Sequence, residues 1–313
     1  MENNSNKDPI NFKDDQIDFK ELFHVLYEGK RIFLSVVSIF SLAALIYSLS
    51  LPNIYQSSAL LSPIESQNGI NQTIKNYGGL ASLAGINLQS QTGDSKTTKA
   101  ISKLGTLSFF EDNILPNIFL PDLLAVESWD VTSNSFNYNK DLYDADKGIW
   151  VRDFSYPQSQ VPSAQEAFHT FIENLKISTD LETGFVTLSI KHHSPFIAKL
   201  WAELVVKEIN DFFRIKDQAE AQAALEYLNM QIAQTSFAEI KQVIAQLLQQ
   251  KTQQLTLIEV SDFYVFEYID PPVVMETKSE PKRSIICILG ALIGFIVGII
   301  IVLIRHYALK TEN

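Results

Sequence analysis

Cysteine is nearly absent from this chain of 313 residues, which has only Cys287. No disulfide can therefore form within the chain, and its fold must depend on a hydrophobic core. The sequence also lacks a glycine-rich phosphate loop ending in Gly-Lys-Ser or Gly-Lys-Thr, and a Gly-x-Ser-x-Gly turn. These two absences argue against a P-loop nucleotide site and against a serine hydrolase of the strand-turn-helix kind.

Candidate metal and acid-base sites are lacking as well. His192 and His193 are adjacent, and neighbours on a strand point to opposite faces, so the two cannot easily bind one ion. No cysteine or closely spaced group of carboxylates completes a metal site around them. The chain has 36 Asp and Glu residues, but no pattern selects two of them as a glycosidase pair. We therefore expect no enzyme activity, no metal and no cofactor.

The charge of the chain is acidic, at −11 overall. Residues 52–283 hold 18 Lys and Arg against 28 Asp and Glu, so nearly all of this charge lies in the middle of the chain. A nucleic-acid binder needs a basic surface, which this segment lacks. We expect no nucleic-acid partner.

Two long uncharged apolar runs lie near the ends of the sequence, at residues 32–51 and 284–304. At about 1.5 Å of rise per residue, each run is long enough to cross the roughly 30 Å hydrocarbon core of a membrane. They predict two transmembrane helices. The chain then divides into an N-terminal tail (1–31), the first helix (32–51), a large domain (52–283), the second helix (284–304) and a C-terminal tail (305–313).

Basic residues beside the first run predict the orientation in the membrane. Lys20, Lys30 and Arg31 precede it, whereas no basic residue occurs from Pro52 to Ile74. Because short cytoplasmic segments are enriched in Lys and Arg, this asymmetry favours a cytoplasmic N-terminus. We expect both tails in the cytoplasm and the large domain on the outer side.

The large domain combines helical and strand patterns. Ser163 and Glu166 have the spacing of a capping box at a helix start. Alternation of apolar and polar residues around Leu188 predicts a half-buried strand, and Ser194 with Pro195 predicts the start of the next helix. The expected fold is therefore an α+β domain with a long extended helix, anchored by two transmembrane helices.

The long helix is expected at about residues 195–258. Residues 217–258 contain no glycine or proline and would span on the order of 60 Å if the helix were continuous. Its apolar stripe can pack as a core helix within one chain or against neighbouring subunits, and the sequence leaves both open. The candidate contacts between subunits are Gln242, Gln246, Gln249, Gln250 and Gln253, beside which lies Gln254.

The second membrane run carries a regular series of glycines. Gly290, Gly294 and Gly298 are four residues apart and so lie on one helix face, where another helix can approach closely. The candidate partner is a small polar stripe in the first run, formed by Ser35, Ser38 and Ser41. A proline-rich approach to the membrane precedes the second run and contains Pro271, Pro272, Pro281 and Lys282.

The order and spacing of several short motifs resemble the Wzz chain-length determinants, which are polysaccharide co-polymerases of Gram-negative inner membranes. The resemblance extends over nearly the whole chain, including both terminal membrane helices. The motifs that carry it are GGLASLAGI at residues 78–86, Pro162, Ser163, Ala167, Asp180, Thr183, Gly184, Ser194, Pro195, Ala198, Trp201, Asn210, Tyr227, Leu228, Pro272, Pro281 and Lys282.

This resemblance implies a membrane-proximal α+β base, a long helix extending into the periplasm and assembly into a closed homo-oligomer in the bacterial inner membrane. It implies a non-enzymatic regulator of the chain length of O-antigen or a related lipid-linked polysaccharide, acting with a separate polymerase. Kinase-bearing relatives continue into a cytoplasmic nucleotide domain, which we do not expect here. The segment from Asp130 to Val161 matches no pattern of the family.

Three other functions stay open from the sequence. One is an extracytoplasmic sensor, although the nine-residue C-terminal tail argues against an internal output domain. Another is a periplasmic adaptor for glycan binding or export. The third, less favoured, is a periplasmic hydrolase or transferase that acts on the glycan directly.

Overall fold

The computed structural model describes residues 25–64 and 96–311, with side chains up to His306. The GGLASLAGI segment and most of the N-terminal tail lie outside these residues, and residues 25–28 at the end of the tail are helical. The chain divides into a membrane unit, formed by residues up to Leu51 together with those from Pro281, and a large unit from Pro52 to Glu280.

The secondary structure alternates between helices and strands. In chain order the elements are α1 (Lys30–Ser50), β1 (Tyr55–Pro63), α2 (Lys96–Leu104), α3 (Leu107–Phe109), a π-helical turn (Phe110–Ile114), a 3₁₀ turn (Leu115–Asn117), α4 (Leu120–Leu124), β2 (Val126–Asp130), β3 (Ser135–Tyr138), β4 (Tyr143–Asp144), β5 (Ile149–Trp150), α5 (Ala164–Asn174), β6 (Leu175–Thr179), β7 (Val186–His192), α6 (Pro195–Gln234), α7 (Ala238–Val260), β8 (Phe266–Asp270) and α8 (Arg283–Thr311). The predicted α+β class with a long helix is confirmed.

A four-stranded antiparallel sheet forms the base of the large unit, with strand order β6-β7-β1-β8. Strand β1 alternates buried and half-buried residues along its length, as a strand with one face on the core does. Its Ala59 pairs with Leu188 of β7, which in turn pairs with Ile177 of β6. This register places the small Ala59 at the centre of the sheet, where α6 crosses.

The core lies between this sheet and the helices that cover it. The first half of α6 supplies Trp201, Val205 and Ile209, all nearly inaccessible to solvent. Helix α5 and the turns after α2 close the rest of the core with Phe171, Phe109, Phe110 and Ile114. Burying each side chain of this size stabilises the fold by about 1.5–3 kcal/mol. The core therefore supplies the stability of a fold that has no disulfides.

Local sequence signals in this region are confirmed. The Ser163 side chain accepts a hydrogen bond from the Glu166 N–H, and the Glu166 carboxylate accepts one from the Ser163 N–H, so the capping box is complete. Helix α6 begins with Pro195 in its first turn, after Ser194. The Ser194 hydroxyl makes no capping bond; its backbone N–H donates to His192 Nδ1 instead, at 3.0 Å.

The helical pattern at about residues 195–258, whose continuity the sequence left open, forms two helices. Helix α6 ends at Gln234, and Thr235 and Phe237 have extended backbone before α7 begins at Ala238. Helix α7 then runs back along α6. Arg214, near the middle of α6, donates hydrogen bonds to the carbonyl oxygens of Ser261 and Asp262, directly after the end of α7. A hairpin gives the apolar stripe of each helix a partner within the chain, which a single protruding helix would lack.

The segment that carried no recognisable pattern forms two small antiparallel ribbons. Strand β2 pairs with β3, and β4 pairs with β5. Pro121 lies in the first turn of the short helix α4, which precedes β2. Aromatic contacts stabilise the ribbons. Tyr143 packs against Trp150 within the second ribbon, and Trp129 of the first ribbon packs against Tyr55 of the main sheet.

Candidate functional site

The membrane unit consists of α1 and α8 packed along their length. Both helices are long and apolar enough to cross a membrane, over Lys30–Ser50 and Arg283–His306, and few of their residues are buried. A core helix of a water-soluble protein would be mostly buried. The chain thus has two candidate transmembrane helices, and the large extramembrane unit lies between them in the sequence.

The three regularly spaced glycines of α8 face α1. A Cβ atom at Gly294 would lie 2.8 Å from the Phe40 Cβ and 3.1 Å from the Val37 Cα, and real Cβ contacts are longer than the first of these. At Gly298 it would lie 2.9 Å from a ring carbon of Phe33, and at Gly290 it would overlap the Ala44 methyl group. Each glycine is thus the residue that allows the backbones to approach.

The partner face on α1 is not the serine stripe named from the sequence. Phe33, Val37, Phe40 and Ala44 are spaced by four, three and four residues and form the stripe that meets the glycines. Ser35 and Ser38 are exposed on another side of α1, and Ser35 donates a hydrogen bond to the Arg31 carbonyl oxygen. The predicted pairing of the glycines with Ser35 and Ser38 is therefore corrected, whereas Ser41, which is half-buried, supplies none of the atoms nearest to a Cβ at the three glycines.

One serine of α1 does lie in the interface. Ser48 continues the same stripe, four residues beyond Ala44, and is completely buried. Its hydroxyl oxygen has no hydrogen-bond partner among the described residues. Sequence reasoning missed Ser48, although its spacing from Phe33, Val37 and Ala44 would have pointed to it.

The hairpin of α6 and α7 carries the candidate contact residues of the large unit. Ala221 and Leu228 of α6 and Ile244 and Ile258 of α7 are buried. Elsewhere the hairpin leaves large apolar side chains exposed, namely Ile215, Tyr227, Met230, Phe237, Leu257 and Val260. The apolar stripe is therefore covered in part within the chain, and an apolar surface remains outside.

The glutamines of α7 fall into two groups. Gln242, Gln249 and Gln253 are exposed, whereas Gln246, Gln250 and the neighbouring Gln254 are half-buried beside α6. The Gln254 side chain accepts a hydrogen bond from the Lys251 ammonium at 2.9 Å. Only the side chains of the first group are exposed enough to contact a neighbouring subunit along their full length.

The base of the hairpin is fixed by polar side chains of α6. Tyr264 donates its hydroxyl hydrogen to Asp217 at 2.6 Å, and Lys96 forms an ion pair with the same carboxylate at 2.8 Å. The Lys96 ammonium also lies 4.0 Å from the centre of the Tyr264 ring. Burial and the Asp217 charge raise the pKa of Tyr264 far above its ordinary value, so the phenol stays a donor.

The proline-rich approach follows β8. Pro272 is buried and Pro271 is exposed. The segment after them runs back beside the start of β1, since Ser57 donates to the Val273 carbonyl oxygen and Glu280 pairs with Ile54. Pro281 and the exposed Lys282 come directly after this pairing and before α8. Backbone hydrogen bonds therefore join the segment that follows α1 to the segment that precedes α8.

A buried histidine organises the aromatic ribbons and was not recognised from the sequence. His192 Nδ1 accepts the Ser194 N–H, so Nε2 carries the hydrogen and donates to the Asp122 carbonyl oxygen at 2.9 Å. Burial lowers the pKa of His192 to about 4. Its ring also contacts Phe136 and Trp201, so it joins a ribbon to the core.

The second histidine has a different environment. His193 is half-buried, and its ring lies 3.3 Å from the Asn53 carbonyl oxygen. Burial lowers its pKa as well. The two rings thus bond to separate backbone carbonyls, and within the described residues no group of three or more His, Cys, Asp or Glu side chains is arranged to hold a metal ion.

Two family profiles match the sequence. Residues 15–104, which include α1 and β1, match the family described as "Wzz: Chain length determinant protein". Residues 234–307, which include α7, β8 and most of α8, match "G-rich domain on putative tyrosine kinase". The first match confirms the resemblance to the chain-length determinants. No curated protein matches the sequence.

Two solved structures show a weak likeness. One is a "full-length bacterial polysaccharide co-polymerase", 17% identical, with 95% of this chain and 99% of that chain covered and a TM-score of 0.39. The other is a fragment of WzzB, a polysaccharide co-polymerase from Salmonella Typhimurium, 13% identical, with coverages of 73% and 100% and a TM-score of 0.28. TM-scores this low support no conclusion, so the family resemblance rests on the sequence match.

Proposed function

We propose that this chain, a polysaccharide co-polymerase of the chain-length determinant family, sets the length of a lipid-linked surface polysaccharide without catalysing a reaction itself. O-antigen is the foremost candidate for that polysaccharide. The match of residues 15–104 to the family carries this proposal. The polymer is extended by a separate polymerase, and this chain controls when extension stops.

We further propose that the protein acts as a homo-oligomer in the bacterial inner membrane, with both termini in the cytoplasm and the large unit in the periplasm. The basic residues before α1 support this orientation. The exposed apolar side chains of the hairpin support contacts between subunits, because surfaces of that kind mark interaction sites. Reporter fusions after Asn6 and after Lys310 should report cytoplasm, and one near Tyr138 should report periplasm.

Reconstitution tests the proposed function. The polymerase and a lipid-linked repeat unit are placed in liposomes, with or without this protein. We expect a broad length distribution without it and a narrower one, centred on a preferred length, with it. Incubation of the protein with finished lipid-linked polysaccharide should leave the polymer intact, whereas shortening would identify a hydrolase and contradict the proposal.

A further inference from the structure

A cleft lined by both apolar and charged side chains opens at the end of the membrane unit where α1 begins and the apolar span of α8 ends. It has a volume of about 420 Å³, which is within the range of ligand sites in proteins. Its polar lining consists of Glu28, Arg31, Arg305 and His306. Among the described residues that line the cleft, two arginines accompany one carboxylate.

The two arginines lie at the membrane boundary in the sequence. Arg31 directly precedes the apolar run that begins at Ile32, and Arg305 directly follows the run that ends at Ile304. Residues that flank an apolar span are placed at the depth of the lipid headgroups. The two guanidinium groups thus come from different helices and line one cleft at the level of the lipid phosphates.

Glu28 lines the same cleft, but no ion pair joins it to either arginine among the described residues. Within residues 25–64 and 96–306, no carboxylate forms an ion pair with Arg31 or Arg305, and both side chains are exposed. The neighbouring Lys30 differs, because its ammonium stacks over the Tyr27 ring at 4.2 Å and does not line the cleft. Two of the three basic residues at this boundary are thus available to an anion in the cleft.

The floor of the cleft is apolar and lies where the helical residues 25–28 continue through Gly29 into α1. Gly29 makes the floor close-packed, since a Cβ there would lie 2.5 Å from a Val302 methyl carbon. Val25 and Val302 are buried beneath it. The two arginines can contact a lipid headgroup, and the apolar floor can contact the first carbons of its acyl chains.

We propose that this cleft binds the phosphate of a membrane lipid, with Arg31 and Arg305 as its cationic ligands. Basic pockets between transmembrane helices bind anionic headgroups for the same reason. An anionic phospholipid and the diphosphate of a lipid-linked glycan share this chemistry. The site is independent of the proposed role in chain length, because its test measures lipid binding.

Native mass spectrometry of the purified full-length protein in detergent tests the site. The probes are phosphatidylglycerol, phosphatidylcholine, a polyprenyl diphosphate and inorganic phosphate, each titrated separately. The variants are Arg31→Gln and Arg305→Gln. Lys30→Gln is the matched control, since it removes the same charge one residue away from a side chain that does not line the cleft. Arg31→Lys and Arg305→Lys test whether charge alone restores binding.

We expect each arginine variant to weaken binding of an anionic lipid about fivefold, because it removes a direct charge-assisted hydrogen bond between a guanidinium group and the lipid phosphate. Lys30→Gln should change it less than twofold, and the lysine variants should recover part of the affinity. Tighter binding of the polyprenyl diphosphate identifies the glycan carrier as the source, and tighter binding of phosphatidylglycerol identifies the bulk lipid. Either result supports a phosphate site.

Three results would overturn the proposal. Equal losses in Lys30→Gln and Arg31→Gln would show diffuse surface attraction in place of a site. Equal binding of phosphatidylcholine and phosphatidylglycerol, with no gain for the polyprenyl diphosphate, would show that the cleft does not select an anionic lipid. Occupancy by inorganic phosphate that none of the lipids displaces would show a site for free phosphate.

Discussion

The side-chain amide of Asn210 exchanges two hydrogen bonds with the backbone of Phe266, as a neighbouring strand would. Its Nδ2 donates to the Phe266 carbonyl oxygen at 3.1 Å, and its Oδ1 accepts the Phe266 N–H at 3.0 Å. The same oxygen accepts the N–H groups of Tyr264 and Val265. One buried side chain in α6 therefore fixes the segment that returns from the hairpin into β8.

Replacing Asn210 by leucine should destabilise the large unit by about 3–5 kcal/mol. The substitution leaves several buried backbone groups without partners, and each costs about 1–3 kcal/mol. Chemical unfolding of the detergent-solubilised protein, followed by tryptophan fluorescence, measures the change. Asn229→Leu on the exposed side of α6 is the control and should change the free energy of unfolding by less than about 0.5 kcal/mol. A small effect at both positions would contradict the role of Asn210.

The stability of the large unit should fall in mild acid because of His192. Its pKa is about 4 in the folded protein, against about 6.5 when unfolded, so protons bind the unfolded chain first. The free energy of unfolding should be constant above pH 6.5 and should decrease as the pH falls towards 4. A shift of this size corresponds to about 3 kcal/mol.

The variant His192→Gln separates this titration from loss of packing. At pH 7.5 the variant gives the packing cost alone, since neither state of His192 is protonated there. Between pH 6.5 and 4.5 its stability should decline less steeply than that of the parent, and the remaining slope includes His193, whose pKa is also lowered. If parent and variant have the same slope, His192 is not the group that responds.

The sequence predicted the elements whose signals are local. The capping box of Ser163 and Glu166, the start of α6 at Pro195 and the glycine spacing of α8 each depend on residues within a few positions of one another. The two membrane helices depend only on length and apolar composition. Patterns of this kind can be read without knowledge of the tertiary structure.

The features that sequence analysis missed depend on distant residues. The end of α6 at Gln234 has no glycine or proline to mark it, and a hairpin is favoured only because α7 can cover the stripe that contains Leu228. The aromatic ribbons around Trp129 form because Tyr55 and His192, far away in sequence, supply contacts. The partner of the glycines was misassigned because small residues were expected, whereas glycine on one helix allows Phe33 and Phe40 on the other.

Replacing both Gly290 and Gly294 by leucine should separate α8 from α1. The new side chains would overlap Ala44 and Phe40, and interhelical contacts of this kind contribute about 1–2 kcal/mol. We expect the polysaccharide to become shorter or random in length while the amounts of protein and total polysaccharide stay nearly unchanged. Polysaccharide gels and quantitative blots measure both. Ala43→Leu, on an exposed face of α1, is the control, and a double variant with parental length would contradict the role of this interface.

Cysteines placed on α7 should reveal contacts between subunits. In a background without Cys287, single cysteines at Gln242, Gln249 and Gln253 should form dimers on mild oxidation, since these side chains are exposed. A cysteine at Ile244, which is buried between α7 and α6, should not. Non-reducing gels distinguish the outcomes. If no exposed position cross-links, the hairpin packs only within its own subunit.

The length profile of the surface polysaccharide, with and without this gene, tests the central claim most directly. Cells that carry the gene should show a ladder with a preferred length on a polysaccharide gel. Cells without it should still make the polymer, but with lengths spread continuously from short to long, and a plasmid copy should restore the preferred length. An unchanged ladder in the deleted strain, or complete loss of polymer, would contradict the assignment of this protein as a regulator of chain length.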